Sequence, residues 1–299
     1  MLSLAEFLPD RAAEEAVVRA LDELRRVHTM QGRLDKLQSP VADLVASPDP
    51  EAVYAHRDAI CRQHFVMLYA AETDCVPLFR LRIEAVGDRS NLEFFLLVAG
   101  RMGAARVIRY LGEQGVDVNA AENDGTHRHT ALHWAVYQNH PDAVAALIAQ
   151  PKIDLECVDG HGTTALDLSL YQARCIRSAE LLTAAGAHIH ADTVVQVARG
   201  RDLPALELVL RHGADPNALS PKTGIAPLHA AAMGLAEDVL RRLLQAGADP
   251  SLPTRRKFKA AGVIYPRGAT PIGYLDLGCT HLVGLAASTE SQQTLAARA

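Results

Sequence analysis

The sequence predicts an all-α solenoid, a stack of helix-turn-helix units joined by short β-hairpin fingers. Three observations carry that reading. Related segments recur along the chain: TALHWAVYQNH at 130–140, TALDLSLYQAR at 164–174, APLHAAAMG at 226–234 and TPIGYL at 270–275. Endings of one kind accompany them: GVDVNA at 115–120, GAHIHA at 186–191, GADPNA at 213–218 and GADPSL at 247–252. The 299 residues are 49% apolar but only 5% aromatic, so the core must be built from Ala, Leu and Val, which suits close-packed helices. Self-similarity at a fixed period marks an array whose units bury their faces on one another.

The openings and endings together resemble the ankyrin repeat, with its T-P-L-H-x-A start and a period of about 33 residues. With the opening Thr slot as marker, copies fall at Phe65, Phe94, Thr130, Thr164, Thr193, Ala226 and Thr270, spaced 29, 36, 34, 29, 33 and 44 residues apart. Seven repeats then cover about 59–290.

In chain order, residues 1–58 do not match the repeat. Apolar residues at helical spacing predict helices over about 11–28 and 33–46. Pro48 and Pro50 break the chain, and a third helix starts near 51. These helices are expected to form an N-terminal cap over the exposed end of the stack, the competing reading being a separate partner-binding module. Within each repeat, Thr or Ser opens the first helix by capping free backbone N–H groups, and Pro227 and Pro271 suit the position after it. Leu132, Leu166 and Leu228 are expected in the core, and Ala135, Ala198, Ala231 and Ala232 allow helices to approach closely. The resemblance implies that His133 and His229 bond the repeat's own opening and a neighbouring turn. Gly186, Gly213 and Gly247 stop second helices in the left-handed conformation. Asp167 and Gly273 replace the motif His, and PKIDLE at 151–156 lacks the Gly stop, so that helix must end differently. The long final spacing places an extended, basic finger at 252–269, LPTRRKFKAAGVIYPRGA. Residues 291–299 are expected to be a flexible tail.

The net charge of −5 opposes general nucleic-acid binding, although the basic finger keeps that reading as an alternative. Five scattered Cys with no Cys-x-x-Cys pair fit a reducing compartment better than a disulfide framework. The first residues, MLSLAEFLPDRAAEE, show no secretory pattern, and no apolar run reaches membrane-span length, so a cytoplasmic setting is expected. Of 30 basic residues 25 are Arg, which points to a GC-rich, bacterial source; delivery into a host cell as an effector, inhibition and internal scaffolding are the settings considered. Phosphate loops, H-E-x-x-H and G-x-S-x-G are absent. His127, His129, His133 and His140 match no zinc spacing, so neither metal nor cofactor is expected.

The function the resemblance implies is non-catalytic recognition of another protein, with no membrane or small-molecule partner. An enzyme or effector module within 1–58, with the repeats as targeting arm, is the other alternative. The family's contact surface, at finger tips and the exposed ends of first helices, implies His127, His129, His161 and Lys222 on fingers and Tyr137, Gln138, Tyr171, Gln172 and Met233 on helices. Arg101 and Met102 share the helix position. Tyr137 and Tyr171 occupy one slot in successive repeats, as do Gln138 and Gln172, through shared descent or a shared role. Arg255, Arg256, Lys257, Phe258 and Tyr265 complete the expected set on the long finger.

Overall fold

A computed structural model describes residues 64–122, 125–172, 175–260 and 263–271, and the single position 19. The expected cap over 1–58, the tail 291–299 and most of the repeat at Thr270 lie outside the described residues. The chain divides into two units, 1–165 and 166–299.

The first unit contains α1 (His64–Glu72), α2 (Val76–Arg80) running into a π-helical turn at Leu81–Val86, α3 (Leu92–Met102), α4 (Ala105–Glu113), α5 (Ala131–Tyr137) and α6 (Pro141–Ile148). First helices pack on first helices and second on second: α1 on α3, α3 on α5, and α4 on α6. No single pair can bury its own apolar face, so this stacking makes the core. Phe79, Phe95, Leu78, Leu96, Ile108 and Leu111 are fully buried within it. Gly100 sets the closeness of α3 and α5, because a Cβ there would meet the Ala131 carbonyl.

A residue with positive φ turns each first helix into the second, nine positions after the marker: Asp74, Gly103, Asn139 and, in the second unit, Leu235. The glycine that ends the second helix lies twenty-one positions after Phe94 and Ala226, at Gly115 and Gly247. It lies twenty-two after Phe65 and Thr164, at Gly87 and Gly186. Among the described residues, those two repeats are the ones that hold π-helical turns, at Leu81–Val86 and Leu168–Gln172. A π turn closes i→i+5 bonds and so absorbs one inserted residue without breaking the helix. The Gly-less ending behaves differently: α6 stops at Ile148, and the buried Gln150 amide donates to the Ala146 carbonyl at 3.1 Å.

The motif histidines act as the resemblance implies. Thr130 caps α5, the His133 Nδ1 accepts from the Thr130 backbone N–H at 3.3 Å, and its Nε2 lies 3.1 Å from the Thr163 carbonyl oxygen. Successive endings are latched by an Asp–Asn device. Asp117 folds over its own turn to the Asn119 N–H, while the Asn119 amide donates to the Lys152 carbonyl and accepts from the Asp154 N–H.

The second unit contains α7 (Ala165–Asp167, whose first residue closes the first unit), the π turn Leu168–Gln172, α8 (Ile176–Ala184), α9 (Ala191–Gly200), α10 (Leu203–Arg211), α11 (Pro227–Met233) and α12 (Glu237–Gln245). It ends in a two-stranded antiparallel hairpin of β1 (Phe258–Ala260) and β2 (Val263–Tyr265), with Phe258 opposite Tyr265. The long finger is thus a β-hairpin, as expected. Here α9 packs on α11, α8 on α10 and α10 on α12.

Phe65 and Phe94 keep the repeat's register without capping, and one marker, Thr193, needs correction. Phe65, Phe94 and Thr193 lie inside α1, α3 and α9, and the N-cap places of the latter two belong to Asn91 and His190. Phenylalanine offers no cap oxygen, and the Thr193 hydroxyl is engaged elsewhere, donating to Asp167. That bond lets Asp167 stand in for the lost motif His by tying its helix to the next. The αL residue of this repeat, Arg201, places its true marker at Asp192.

Candidate functional site

In the first unit, two successive fingers and the end of α5 bring rings together. The fingers are narrow hairpins closed by the Ala121–Thr130 and Val158–Thr164 bridges, and the Gly160 N–H donates to the His127 carbonyl at 2.6 Å. Asp159 organises the second finger: its Oδ1 accepts from the His161 and Thr163 N–H groups at 2.8 and 2.9 Å. Its Oδ2 lies 3.6 Å from the His129 Nε2.

His129 is the hub of the cluster. Its ring lies 5.7 Å from that of His127, 4.9 Å edge-on to Trp134 and 6.4 Å from Tyr137, stacked. His161 meets His127 at 6.1 Å, and Trp134 meets Tyr137 edge-on at 6.0 Å. The Arg101 guanidinium, one repeat earlier in the slot of Tyr137, lies 5.0 Å over the Trp134 ring. Tyr137 is 53% exposed and Met102 46%, while Trp134 is half-buried. The result is a partly exposed aromatic surface edged by a guanidinium and imidazoles. It offers flat apolar faces, a cation and hydrogen-bonding edges.

The structure therefore brings together His127, His129, His161 and Tyr137 from the expected set, with exposed Gln138 next in the chain as the α5 C-cap. Sequence reasoning passed over Trp134. The signal was there: the sole Trp fills the variable position of the opening motif, three residues before Tyr137. Tyr171 and Gln172 close the second π turn, and their side chains lie outside the described residues. In the second unit, Lys222 is exposed with its Nζ 3.9 Å from Asp192 Oδ2, and Met233 is half-buried at the end of α11. Arg255, Arg256 and Lys257 are exposed beside β1; Phe258 and Tyr265 pair backbone to backbone.

The buried histidines are structural. Burial holds His229 down to about 4 and lowers His133 in the same way, against the opposing pull of their carbonyl partners, Ala269 and Thr163. Burial first, then Asp154, raises the Cys157 thiol, the reverse of what an activated nucleophile needs. Cys75 and Cys175 are buried at the N-cap positions of α2 and α8.

Family models for ankyrin repeats match residues 95–193, as three copies, and 223–255, as one. These stretches are ankyrin repeats. Among proteins with similar ankyrin sequence, the murine B-cell lymphoma 3 protein homolog is 29% identical over 194 residues, 61% of this chain and 42% of that protein. Murine Rabankyrin-5 is 27% identical over 172 residues, 55% of this chain and 14% of that protein. The match thus spans less than half of either relative. The crystal structure of the ankyrin repeat domain of Bcl-3, a member of the IkappaB protein family, aligns with a TM-score of 0.59 at 25% identity, covering 70% of this chain and 92% of that one. These ankyrin relationships support a role in protein–protein interaction. No helix among the described residues is long and apolar enough to cross a membrane.

Proposed function

We propose that this chain is a non-catalytic recognition scaffold. It binds another protein through the ring cluster of its first unit, with Tyr137 and Trp134 as anchors and His127, His129, His161 and Arg101 around them. The observation that carries this reading is the Tyr137–His129–Trp134 group, with exposed Tyr137 stacked on His129, Trp134 edge-on to both and Arg101 over Trp134. Tyr, Trp and Arg dominate binding hot spots because they bury large area at low entropic cost. A rigid helix end and a bonded pair of fingers hold them in place before any partner arrives, which lowers the cost of association. Repeat register alone makes Tyr171 and Gln172 a second contact of the same type. The Arg-rich composition supports a bacterial setting, in which an effector, inhibitor or scaffold role follows from the partner's identity.

The test is affinity capture from the source organism with the parent chain and with Tyr137→Ala. The variant should lose its partner, since truncating a central anchor removes about 2 kcal/mol or more, or roughly thirtyfold in affinity. Capture that is unchanged, with helical circular dichroism also unchanged, would place the interface elsewhere.

A further inference from the structure

The geometry points to the 252–269 finger as a separate binding element that takes an acidic segment of a partner protein. Residues 250–275 contain no Asp or Glu, yet hold Arg255, Arg256, Lys257, Lys259 and Arg267, in a chain whose net charge is −5. The finger is built, not loose. Thr254 exchanges bonds with Ala269 and Gly268 at its base, both at 2.9 Å, and its hydroxyl donates to the Pro266 carbonyl at 3.1 Å. The strands above are paired. The preceding finger braces it: the Arg255 N–H donates to the Gly224 carbonyl at 2.9 Å, and the Arg256 stem lies against Gly224.

Cations held this way repel one another and find little internal relief. Arg255, Arg256, Lys257 and Arg267 are exposed and make no ion pair among the described residues. The neighbouring Lys222 lies 3.9 Å from Asp192, and its side chain stays 72% exposed. A carboxylate-rich partner removes the repulsion, through the charge of these groups.

Two considerations favour an acidic peptide over a nucleic acid. Strands of three residues span about 10 Å, the reach of a short acidic run and not of a polynucleotide track. Outside 250–275 the chain carries a net charge of −10, so a long polyanion gains less from this protein than a short peptide that contacts the finger alone.

The experiment uses the full chain and two labelled probes, hexaglutamate and hexathymidylate, followed by fluorescence anisotropy. Hexaglutamate should bind and weaken as salt rises. The combined change Arg255→Ser, Lys257→Ser and Arg267→Ser should lower its affinity about tenfold or more, an effect of removing charge that Arg255→Lys with Arg267→Lys should not reproduce. Arg256 is kept because its stem packs on Gly224. Tyr137→Ala should leave hexaglutamate binding unchanged, so this result stands or falls apart from the first-unit reading. Failure of the parent chain to bind hexaglutamate, equal binding by the Ser variant, or tighter binding of hexathymidylate would each overturn the proposal.

Discussion

At Gly213 the backbone has a φ of 84° and nothing lies within 4 Å of where a Cβ would stand. The cost of a side chain there is therefore conformational alone. Gly213→Val should destabilise by about 1–2 kcal/mol in equilibrium denaturation, since a β-branched residue is strained in the left-handed region. Gly200 is the contrasting case, because it closes α9 with ordinary helical φ and equally open space. Gly200→Ala should stabilise by roughly 0.5 kcal/mol, through the entropy of the unfolded chain. Equal signs for the two changes would refute the conformational account. The motif histidines set a pH dependence at the same scale. In His229 the Nδ1 accepts from the Ala226 N–H at 3.1 Å while Nε2 faces the Ala269 carbonyl at 3.2 Å, so only the neutral ring satisfies both. A proton on Nδ1 would confront a donor. The folded pKa, about 4, lies below the ordinary value of 6.5, so the unfolded chain takes up the proton first as pH falls. Stability should be flat above about pH 6.5 and drop below it toward pH 4, by roughly 1 kcal/mol per unit for such a group. His133 adds in the same direction. Denaturation midpoints that do not change across this window would contradict the assignment.

Elements show where the sequence was legible. The middle repeats could be read because each keeps a buried Leu together with an opening cap or a Gly stop, and these are local chemistry. The finger at 252–269 was visible as an excess of residues, and its hairpin followed. The starts of α3 and α9 were not legible: the Phe94 and Thr193 markers fell within helices because tertiary partners, such as Asp167 for Thr193, decide what those residues do. The π turns were equally hidden, since one inserted residue looks like any other spacing error until the Gly stops are compared with the αL turns. At the site, ring partners such as Trp134 and His129 meet through folding of the finger onto α5, which no spacing reports. One ending is built differently from its neighbours. Asn119 latches its turn to the next, and Asn217 does the same to Gly247 and Asp249, but the corresponding places at 188 and 190 hold His. An imidazole cannot present a donor and an acceptor side by side as an amide does. His188→Asp combined with His190→Asn should raise stability by about 1 kcal/mol. A neutral or destabilising result in a denaturant titration would show that the latch adds nothing there.

On the scale of the whole chain, a stack with nearest-neighbour coupling need not unfold in one step. The degenerate repeats at Phe65 and Phe94, the ending at Pro151 and the division at 165 are the places where cooperativity should fail. Hydrogen exchange should show protection that differs between repeats, and uniform protection lost in a single step would contradict this. The central claim is that the first unit recognises a protein through Tyr137 and its ring neighbours. Its most direct test is a photo-crosslinking amino acid at position 137, compared with one at exposed Arg211 at the end of α10, in the presence of the source organism's proteins. A single discrete adduct from position 137, absent from position 211 and lost with Trp134→Ala, is the expected result. The same adducts from both positions, or none from 137 while the 252–269 finger still captures a partner, would contradict it.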